Sequence, residues 1–312
     1  MTTVLLSGAS GFIGSRIAKS LLDDGHRVVR LTRKQIEPVA GVTDAVAWDP
    51  EAGTVDRAQL AHARPDAVIN LAGEPIAQRW TSQRRRRIRD SRVGGTTALA
   101  TALAGLANKP SVFISGSAIG YYGAHRGDDV LDEESAPGTD FLAQTAREWE
   151  QATAPAAAGG IRVVTARTGL VIGKDGGVLA RMLPPFKLGV GGRLGSGRQW
   201  MSWIALDDIV RAFRFLADTS AVRGPVNLVA PEPVRNEEFT KALARALRRP
   251  ALFPVPSVAL ELLFGTMADN TILASQRVVP KRLVGAGFEF RHSRLDDALR
   301  FELTRSADRA GR

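Results

Sequence analysis

Three glycines near the N-terminus have the spacing of a phosphate-binding loop. Gly8, Gly11 and Gly14 lie in the segment SGASGFIG, between the apolar run 4–6 and a helical pattern. The first glycine permits a tight turn, the second lets backbone N–H groups approach a pyrophosphate, and the third lets helix and strand pack closely. The alternative is a turn without a ligand. We expect a dinucleotide site that also includes Ser10, Phe12 and Ile13.

The end of the second strand-like run distinguishes the two nicotinamide cofactors. An NAD(H) site usually has an acidic residue about 20 residues beyond the glycine loop, where it binds the ribose 2′-hydroxyl. This chain has Thr32, Arg33 and Lys34 there. An arginine offers a planar fork of donors to a 2′-phosphate, whereas a carboxylate would repel it. We therefore expect NADP(H) as the cofactor, the alternative being that Arg33 is an ordinary surface residue.

Composition limits the remaining chemistry. The chain of 312 residues has no cysteine, and its four histidines are scattered, so we expect neither disulfides nor a metal site. The formal net charge of +10 indicates an anionic partner. The densest cationic run is either a solvated helix face or an anion-binding one; it consists of Arg84, Arg85, Arg86 and Arg87, followed by Arg89 and Arg92.

The same composition bears on partners and location. No zinc-finger or aromatic RNA-binding pattern accompanies the cationic run, so nucleic acid binding is a minor hypothesis. No apolar stretch approaches the roughly 18 residues of a membrane span, and no charged signal-peptide head precedes the first strand. We expect a cytoplasmic protein with a small-molecule substrate and no membrane partner.

Strand-like and helix-like segments alternate along the chain, as parallel-sheet proteins require. The apolar runs are 4–6, 28–31, 67–71, 112–115, 161–165 and 226–229. The pattern predicts an α/β fold, a Rossmann-type doubly wound parallel sheet with a smaller, mostly helical C-terminal domain. We expect the Rossmann domain over 1–170, with 205–230 returning to its sheet. The smaller domain is expected over 171–204 and 231–312.

Further motifs give the chain a resemblance to a known family. They are NLAGEPI at 70–76, IRDSR at 88–92, SGSAIGYYG at 115–123, GSGRQWMSWI at 195–204 and VPKRLVGAGFEF at 279–290. With the glycine loop, they resemble the epimerase-family branch of the extended and atypical short-chain dehydrogenases/reductases, which is related to nucleoside-diphosphate-sugar epimerases and carries a C-terminal domain of unknown function. The resemblance implies a Rossmann fold that binds NADP(H) and a small C-terminal domain that closes over a substrate cleft.

The resemblance also implies cofactor contacts beyond the glycine loop. The small residues Leu71, Ala72 and Gly73 stand where the superfamily lets the chain pass close to the cofactor, and Ser115 is assigned to the same site. Arg92 stands where many extended members carry an asparagine near the active site. A guanidinium there reaches cofactor phosphates or an anionic substrate; the alternative is an arginine that merely closes the basic helix.

The catalytic positions depart from the family pattern. The usual machinery is a serine plus a tyrosine four residues before a lysine, whose charge lowers the phenol pKa. Ser117 matches the serine, but Phe141 and Thr145 stand where the tyrosine and lysine are expected. Tyr122 or its neighbour Tyr121 is then the substitute acid, with packing as the alternative.

Three cations are candidates for substrate contact. Arg167 ends a strand at the edge of the sheet where ligands bind, and Lys187 and Arg198 stand among flexible glycines. The sequence therefore predicts an NADP(H)-binding, epimerase-like oxidoreductase acting on a sugar nucleotide or a small carbonyl compound. The alternative is a catalytically impaired NADP(H)-binding regulatory protein, because Phe141 and Thr145 cannot exchange protons as tyrosine beside lysine does.

Overall fold

An eight-stranded sheet, parallel except at one edge, forms the centre of the fold. The computed structural model describes residues 1–33, 42 and 44–304. With strands numbered along the chain, the order across the sheet is β12 (Gly224–Leu228), β8 (Arg162–Thr168), β6 (Val112–Ala118), β5 (Ala67–Asn70), β1 (Thr3–Ser7), β2 (Arg27–Thr32), β3 (Ala45–Asp49) and β4 (Thr54–Val55).

Within the described residues, three two-stranded pairs lie outside this sheet. They are β7 (His125–Leu131) with β14 (Ser275–Val278), β9 (Leu170–Gly173) with β11 (Trp203–Ala205), and β10 (Trp200–Met201) with β13 (Val234–Arg235). The first pair joins two segments that are more than a hundred residues apart in the chain, so the C-terminal part is tied directly to the loop that follows β6.

Helices cover both faces of the sheet, which is why its central strands are almost continuously apolar. They are α1 (Gly14–Asp23), α2 (Arg57–Ala63), α3 (Ser82–Ala104), α4 (Phe141–Gln151), α5 (Ala154–Ala158), α6 (Gly177–Lys187), α7 (Leu206–Asp218), α8 (Asn236–Leu247), α9 (Ser257–Phe264), α10 (Lys281–Gly285) and α11 (Leu295–Thr304). A 3₁₀ turn spans Ile119–Tyr122 and a π-helical turn spans Ala268–Ile272. No helix in the described ranges has the length and apolar character needed to cross a bilayer.

Two apolar cores lie on opposite faces of the sheet because successive strand residues point to opposite sides. Leu6 packs with Ile17 of α1 and Phe213 of α7, whereas its neighbour Leu5 packs with Leu99 of α3 on the other face. A third core joins α6, α8 and α11 around the small β9–β11 pair. How the chain divides into domains stays a prediction.

The strand order reverses between β1 and β5, and this places the candidate site. From β1 the chain builds outward through β2 and β3, and from β5 it builds the other way through β6, β8 and β12. In open parallel sheets, ligands bind at the carboxyl ends of the strands where the order reverses. The predicted α/β class, with a doubly wound parallel sheet and a helical C-terminal region, is confirmed.

Candidate functional site

The glycine loop connects β1 to α1 at the point where the strand order reverses. Gly8 has φ of +69°, and a Cβ added there would lie 3.0 Å from the backbone carbonyl carbon of Leu71. A Cβ added at Gly14 would overlap the carbonyl oxygen of Gly8. A side chain at Gly8 is therefore excluded by the backbone conformation and by the close approach of Leu71. A side chain at Gly14 is excluded by the close packing of helix on strand.

The loop leaves backbone donors free at the start of α1. Gly11 donates its amide to the Gly8 carbonyl (2.9 Å), but in the described parts of the chain the amides of Phe12 and Ile13 donate no hydrogen bond. Unpaired N–H groups at a helix N-terminus are the donors that bind a pyrophosphate. The residues present thus fit the phosphates of a dinucleotide. The Phe12 ring packs on the turn that contains Gly173 and Gly176.

The residues that would select the cofactor follow β2. Thr32 ends this strand, and the side chain of Arg33 is largely exposed. Its guanidinium lies 3.8 Å from the Glu51 carboxylate, with both side chains more than 60% exposed, so this ion pair is weak and easily displaced. Arg33 can therefore turn to a phosphate beside β2. Lys34 lies outside the described residues.

A buried network fixes the turn after β5, where the small residues lie. Ser7 Oγ donates to Asn70 Oδ1 (2.5 Å) and accepts hydrogen bonds from the amides of Leu71 (2.9 Å) and Ala72 (3.1 Å). Asn70 Nδ2 in turn donates to Thr96 Oγ1 of α3 (2.9 Å). The backbone beside the glycine loop is thereby held in one conformation.

Arg92 of α3 is a largely buried cation next to this turn. Its Nη1 donates to the carbonyl oxygens of Glu74 and Ile88, both at 3.0 Å, and its guanidinium carbon lies 5.2 Å from the Trp149 ring centroid. A Cβ added at Gly73 would lie 3.1 Å from that carbon, so glycine makes room for the arginine. Burial lowers the pKa of Arg92 to about 10, against an opposing effect of the Glu74 charge. No carboxylate of the described residues forms an ion pair with it.

A cavity of about 280 Å³ opens between the carboxyl ends of the strands and the C-terminal part of the chain. Arg92 and Ser117 both line it, and most of its wall is apolar. Asn270, Thr271 and Gln276 contribute polar groups from the C-terminal part. The apolar lining includes Ile76, Ile88, Leu142, Trp149, Leu170 and Trp200.

Ser117 is joined to a carboxylate that the sequence analysis did not single out. Its Oγ donates to Glu150 Oε1 (2.7 Å), and Glu150 is held by Arg167 through Nε to Oε1 (2.7 Å) and Nη2 to Oε2 (2.8 Å). Burial alone would lower the pKa of Arg167, but hydrogen bonds to Glu150 and its negative charge raise it overall. Glu150 also lines a separate open groove of about 800 Å³ and is 14% accessible, so it connects Ser117 with solvent.

The structure places Tyr122 in the interior rather than at the cavity. Its ring is fully buried, and its hydroxyl donates to Asn227 Oδ1 (2.7 Å) and accepts from Arg167 Nη1 (3.1 Å). Burial raises the pKa of Tyr122 to about 12, although the positive charge of Arg167 opposes the shift. The Tyr121 ring centroid lies 3.4 Å from the guanidinium carbon of Arg167. These contacts support packing, the alternative weighed above for both tyrosines.

Arg167 is likewise enclosed rather than open to a substrate. It is almost completely buried, and Glu150, Tyr122 and a backbone carbonyl take its donors. Lys187, at the end of α6, and Arg198, before β10, are exposed and do not line the cavity. Of the three expected substrate contacts, the structure brings none to the cavity wall. Ser115 is fully buried in β6, with Oγ donating to the Gly116 carbonyl (3.3 Å).

The positions of the missing tyrosine and lysine have other contacts. Phe141 packs edge-on against Trp80 with ring centroids 5.3 Å apart. Thr145 lines the cavity, but its hydroxyl donates back to the Phe141 carbonyl within α4 (2.7 Å). Neither side chain offers a proton to the cavity.

The cationic run of α3 is distributed among several contacts instead of forming one surface. Arg86 and Arg87 are exposed. The others take part in tertiary contacts: Arg84 pairs with Glu74, Arg85 lies over Trp80, and Arg89 pairs with Glu148.

Comparison with known proteins gives the family. The model of the NAD-dependent epimerase/dehydratase family matches residues 4–229, and a domain of unknown function, DUF1731, matches 255–302. The chain belongs to the NAD-dependent epimerase/dehydratase family. The resemblance seen in the sequence motifs is thereby confirmed, including the C-terminal domain of unknown function.

Relatives share the whole length of the chain. Epimerase family protein Mb2239 of Mycobacterium bovis is 44% identical, over 97% of this chain and 98% of its own. The crystal structure of human epimerase family protein SDR39U1 with NADPH is 31% identical, with a TM-score of 0.87 over 97% of this chain and 99% of its own. The UDP-glucose 4-epimerase of Thermus thermophilus, solved with NAD, is 18% identical with a TM-score of 0.75 over 97% of this chain and 98% of its own, which shows the fold alone.

Proposed function

We propose that this protein is an NADP(H)-dependent oxidoreductase that acts on a small, anionic carbonyl or hydroxyl compound. The observation that carries the proposal is the hydrogen bond from Ser117 to Glu150 at the wall of a cavity that Arg92 also lines. The Ser117–Glu150 pair provides a route for a proton. Arg92 provides a positive charge for a substrate. Arg92 lies against Gly73 of the turn after β5, and Ser117 lies near the end of β6, the neighbouring strand.

The support for NADP(H) comes from two sides. The glycine loop and the free amides of Phe12 and Ile13 suit a pyrophosphate, and Arg33 suits a 2′-phosphate because its competing contact with Glu51 is weak. Human SDR39U1, which matches over nearly the whole chain, was solved with NADPH. More distant members of the fold were solved with NAD, so the residues after β2 are what argue for NADP(H).

The chain's own residues handle the proton. A bound nicotinamide would supply the hydride acceptor or donor. When a substrate hydroxyl is oxidised, its proton passes to Ser117 Oγ as the serine's own proton passes to Glu150, and reduction reverses both shifts. Glu150 exchanges this proton with solvent through the open groove that it also lines. The serine and glutamate thus take over the proton transfer that Phe141 and Thr145 cannot perform.

The shape and charge of the cavity support a compact substrate. Ligand pockets usually measure about 300–1,000 Å³, and this one, at about 280 Å³, is slightly smaller than that range. Arg92, without a carboxylate partner among the described residues, favours a ligand that brings its own negative charge. Small carbonyl compounds with a carboxylate fit this description better than sugar nucleotides, which stay as the second substrate class.

Cofactor choice is tested by calorimetric titration with NADPH and NADH. We expect tighter binding of NADPH, and Arg33→Asp should reduce or reverse the preference, because a hydrogen bond to a charged group is worth roughly 1.5–3 kcal/mol. Arg86→Asp, the same change at an exposed arginine of α3, should leave the preference unchanged. Equal affinities for both cofactors in the wild type would contradict the assignment to NADP(H).

Turnover is tested by NADPH oxidation against carbonyl compounds in matched pairs, with and without a carboxylate, and against sugar nucleotides. Ser117→Ala and Glu150→Gln should each lower kcat by about 10²–10⁴-fold, the usual effect of general acid–base catalysis. Ser111→Ala, an exposed serine immediately before the same strand, is the control. If Ser117→Ala folds normally and keeps full activity, the role given to Ser117 is wrong.

The regulatory alternative predicts a different result in the same assays. A protein that binds NADPH tightly but oxidises it with none of these compounds would fit a cofactor-responsive regulator better than an enzyme. The replacement of the family's tyrosine and lysine by Phe141 and Thr145 is the observation in its favour.

A further inference from the structure

Large apolar side chains are exposed together on one surface of the C-terminal part. Seven of them have between 52% and 79% of their surface accessible: Leu188, Val190, Leu252, Phe253, Val258, Leu262 and Leu263. Isolated exposed apolar residues are ordinary, but contiguous groups of this kind mark interaction sites. None of these residues lines the cavity described above.

The exposed residues come from two segments that run side by side. The amide of Phe253 donates to the Gly191 carbonyl (3.3 Å), and the amide of Val255 donates to the Arg193 carbonyl (2.9 Å). Helix α9 follows directly after Pro256, and of its eight residues only Leu260 is buried. Segments 187–193 and 248–264 are therefore joined where 191–193 runs beside 253–255, and we call the exposed residues of the two segments the basic apolar face.

Charge on this face is strongly one-sided. The two segments carry four cations, Lys187, Arg193, Arg248 and Arg249, against a single carboxylate, Glu261. No ion pair to a described residue neutralises any of the four. A partner for this surface must accept apolar side chains and supply negative charge next to them.

A bilayer surface with anionic lipids has both properties. Apolar side chains enter the boundary between headgroups and acyl chains while flanking cations attract the acidic headgroups. A second copy of the chain matches less well, because the same face would bring cations against cations and the whole protein carries a net charge of +10.

We propose that the basic apolar face is a peripheral docking site for membranes containing anionic lipids. This goes beyond the proposed reaction and does not depend on it. It also departs from the expectation that the protein has no membrane partner, which considered membrane-spanning segments alone. The face has no spanning helix and needs none, since it holds the protein to the surface by a shallow insertion.

Vesicle co-sedimentation tests the proposal with the wild-type chain. One set of vesicles contains phosphatidylglycerol and phosphatidylcholine in equal parts, and the other contains phosphatidylcholine alone. We expect binding to the first set, weakened by added salt, and little binding to the second. The double variants Leu262→Asp/Leu263→Asp and Arg248→Glu/Arg249→Glu should each weaken binding about tenfold or more.

Matched controls separate this face from general charge and general exposure. Arg57→Glu/Arg64→Glu reverses two exposed arginines at the ends of α2, and Val284→Asp changes an exposed apolar residue on α10. Both controls should bind vesicles within about twofold of the wild type, and all variants should melt at wild-type temperatures.

Three outcomes would overturn the proposal. In the first, the wild type fails to bind the anionic vesicles at low salt. In the second, the two variants of the face bind the vesicles as well as the control variants do. In the third, light scattering shows a wild-type dimer that the Leu262→Asp/Leu263→Asp variant converts to a monomer, so that the face is a contact between two copies of the chain.

Discussion

Removing the ion pair between Glu150 and Arg167 tests the structure of the site without a substrate, because its effect is measured as a change in stability. Both side chains are largely buried, with 14% of Glu150 and 3% of Arg167 accessible. Glu150→Gln keeps the shape and one acceptor oxygen for Ser117 but removes the negative charge. The Arg167 guanidinium, also beside the Tyr122 hydroxyl, is then left in the interior without its counter-charge.

The size of the effect follows from the burial. Removing one partner of a buried ion pair costs about 3–5 kcal/mol, because the other charge stays in the interior uncompensated. The amide retains part of the hydrogen bonding, so we expect a loss of about 3 kcal/mol in the free energy of unfolding. The entropy of unfolding is about 2.1 cal/mol/K per residue, so for 312 residues this loss lowers Tm by about 5 °C.

Denaturant titration and thermal melting of the variant measure this loss. The control is Glu148→Gln on the same helix, where Glu148 pairs with Arg89 and both side chains are more than a third exposed. Exposed pairs contribute about 0–1 kcal/mol, so this variant should melt within about 1.5 °C of the wild type. If Glu150→Gln is no more destabilising than Glu148→Gln, the buried pair does not hold Ser117 in the way we describe.

Two other substitutions test the loop and the buried tyrosine. Gly14→Ala should destabilise the protein and abolish NADPH binding, because the added Cβ would overlap the Gly8 carbonyl oxygen. The control, Gly94→Ala in α3, should be neutral or stabilising, because alanine has the higher helix propensity. Calorimetry and thermal melting compare the two variants, and equal NADPH affinity in both would contradict the expectation for Gly14. Tyr122→Phe should cost about 1–2 kcal/mol through the lost hydrogen bond to Asn227 and leave any turnover unchanged; a loss of kcat without a loss of stability would restore Tyr122 as a catalytic acid.

Local patterns were sufficient for the fold and for the glycine loop. The apolar runs predicted six strands of the large sheet, because a strand covered on both faces needs continuous apolar residues. The loop was predictable for a similar reason: the positive φ of Gly8 and the close approach of Gly14 to the Gly8 carbonyl both arise within one strand–turn–helix unit, although Gly8 also lies against Leu71 of the turn after β5. In both cases the deciding interactions lie within a short stretch of sequence.

The cavity depends on contacts that no short stretch contains. Ser117 and Glu150 are 33 residues apart in the sequence, and Asn270 and Gln276 of the cavity wall lie more than a hundred residues further along the chain. One signal for Glu150 was present: it continues the spacing of Ala143 and Ala146 on the inward side of α4, where an apolar residue is expected. A carboxylate at such a position indicates a buried partner.

For two exposed cations, the local sequence pattern was misleading. Lys187 and Arg198 stand among glycines, from which we expected a flexible loop that brings them to a substrate. Those glycines instead form tight turns: Gly189, Gly195 and Gly197 all have positive φ, and the turns leave both cations on the surface. Glycine-rich sequence alone does not distinguish a flexible loop from a set of fixed left-handed turns.

The direction of one hydrogen bond assigns separate tasks to the two polar groups of the cavity. Ser117 has a single hydroxyl hydrogen and gives it to Glu150, so towards the cavity the serine accepts hydrogen bonds while Glu150 is ionised. In this arrangement the serine accepts from a substrate hydroxyl that is to be oxidised, whereas reduction of a carbonyl starts from the reverse arrangement, with the proton on Glu150 and Ser117 donating to the substrate. Among the described lining residues, Arg92 is the one charged donor, and its lowered pKa of about 10 still leaves it protonated at neutral pH. Negative charge on the substrate, whether carried by a carboxylate or developing on a reacting oxygen, is therefore stabilised by Arg92, while Ser117 and Glu150 receive the proton.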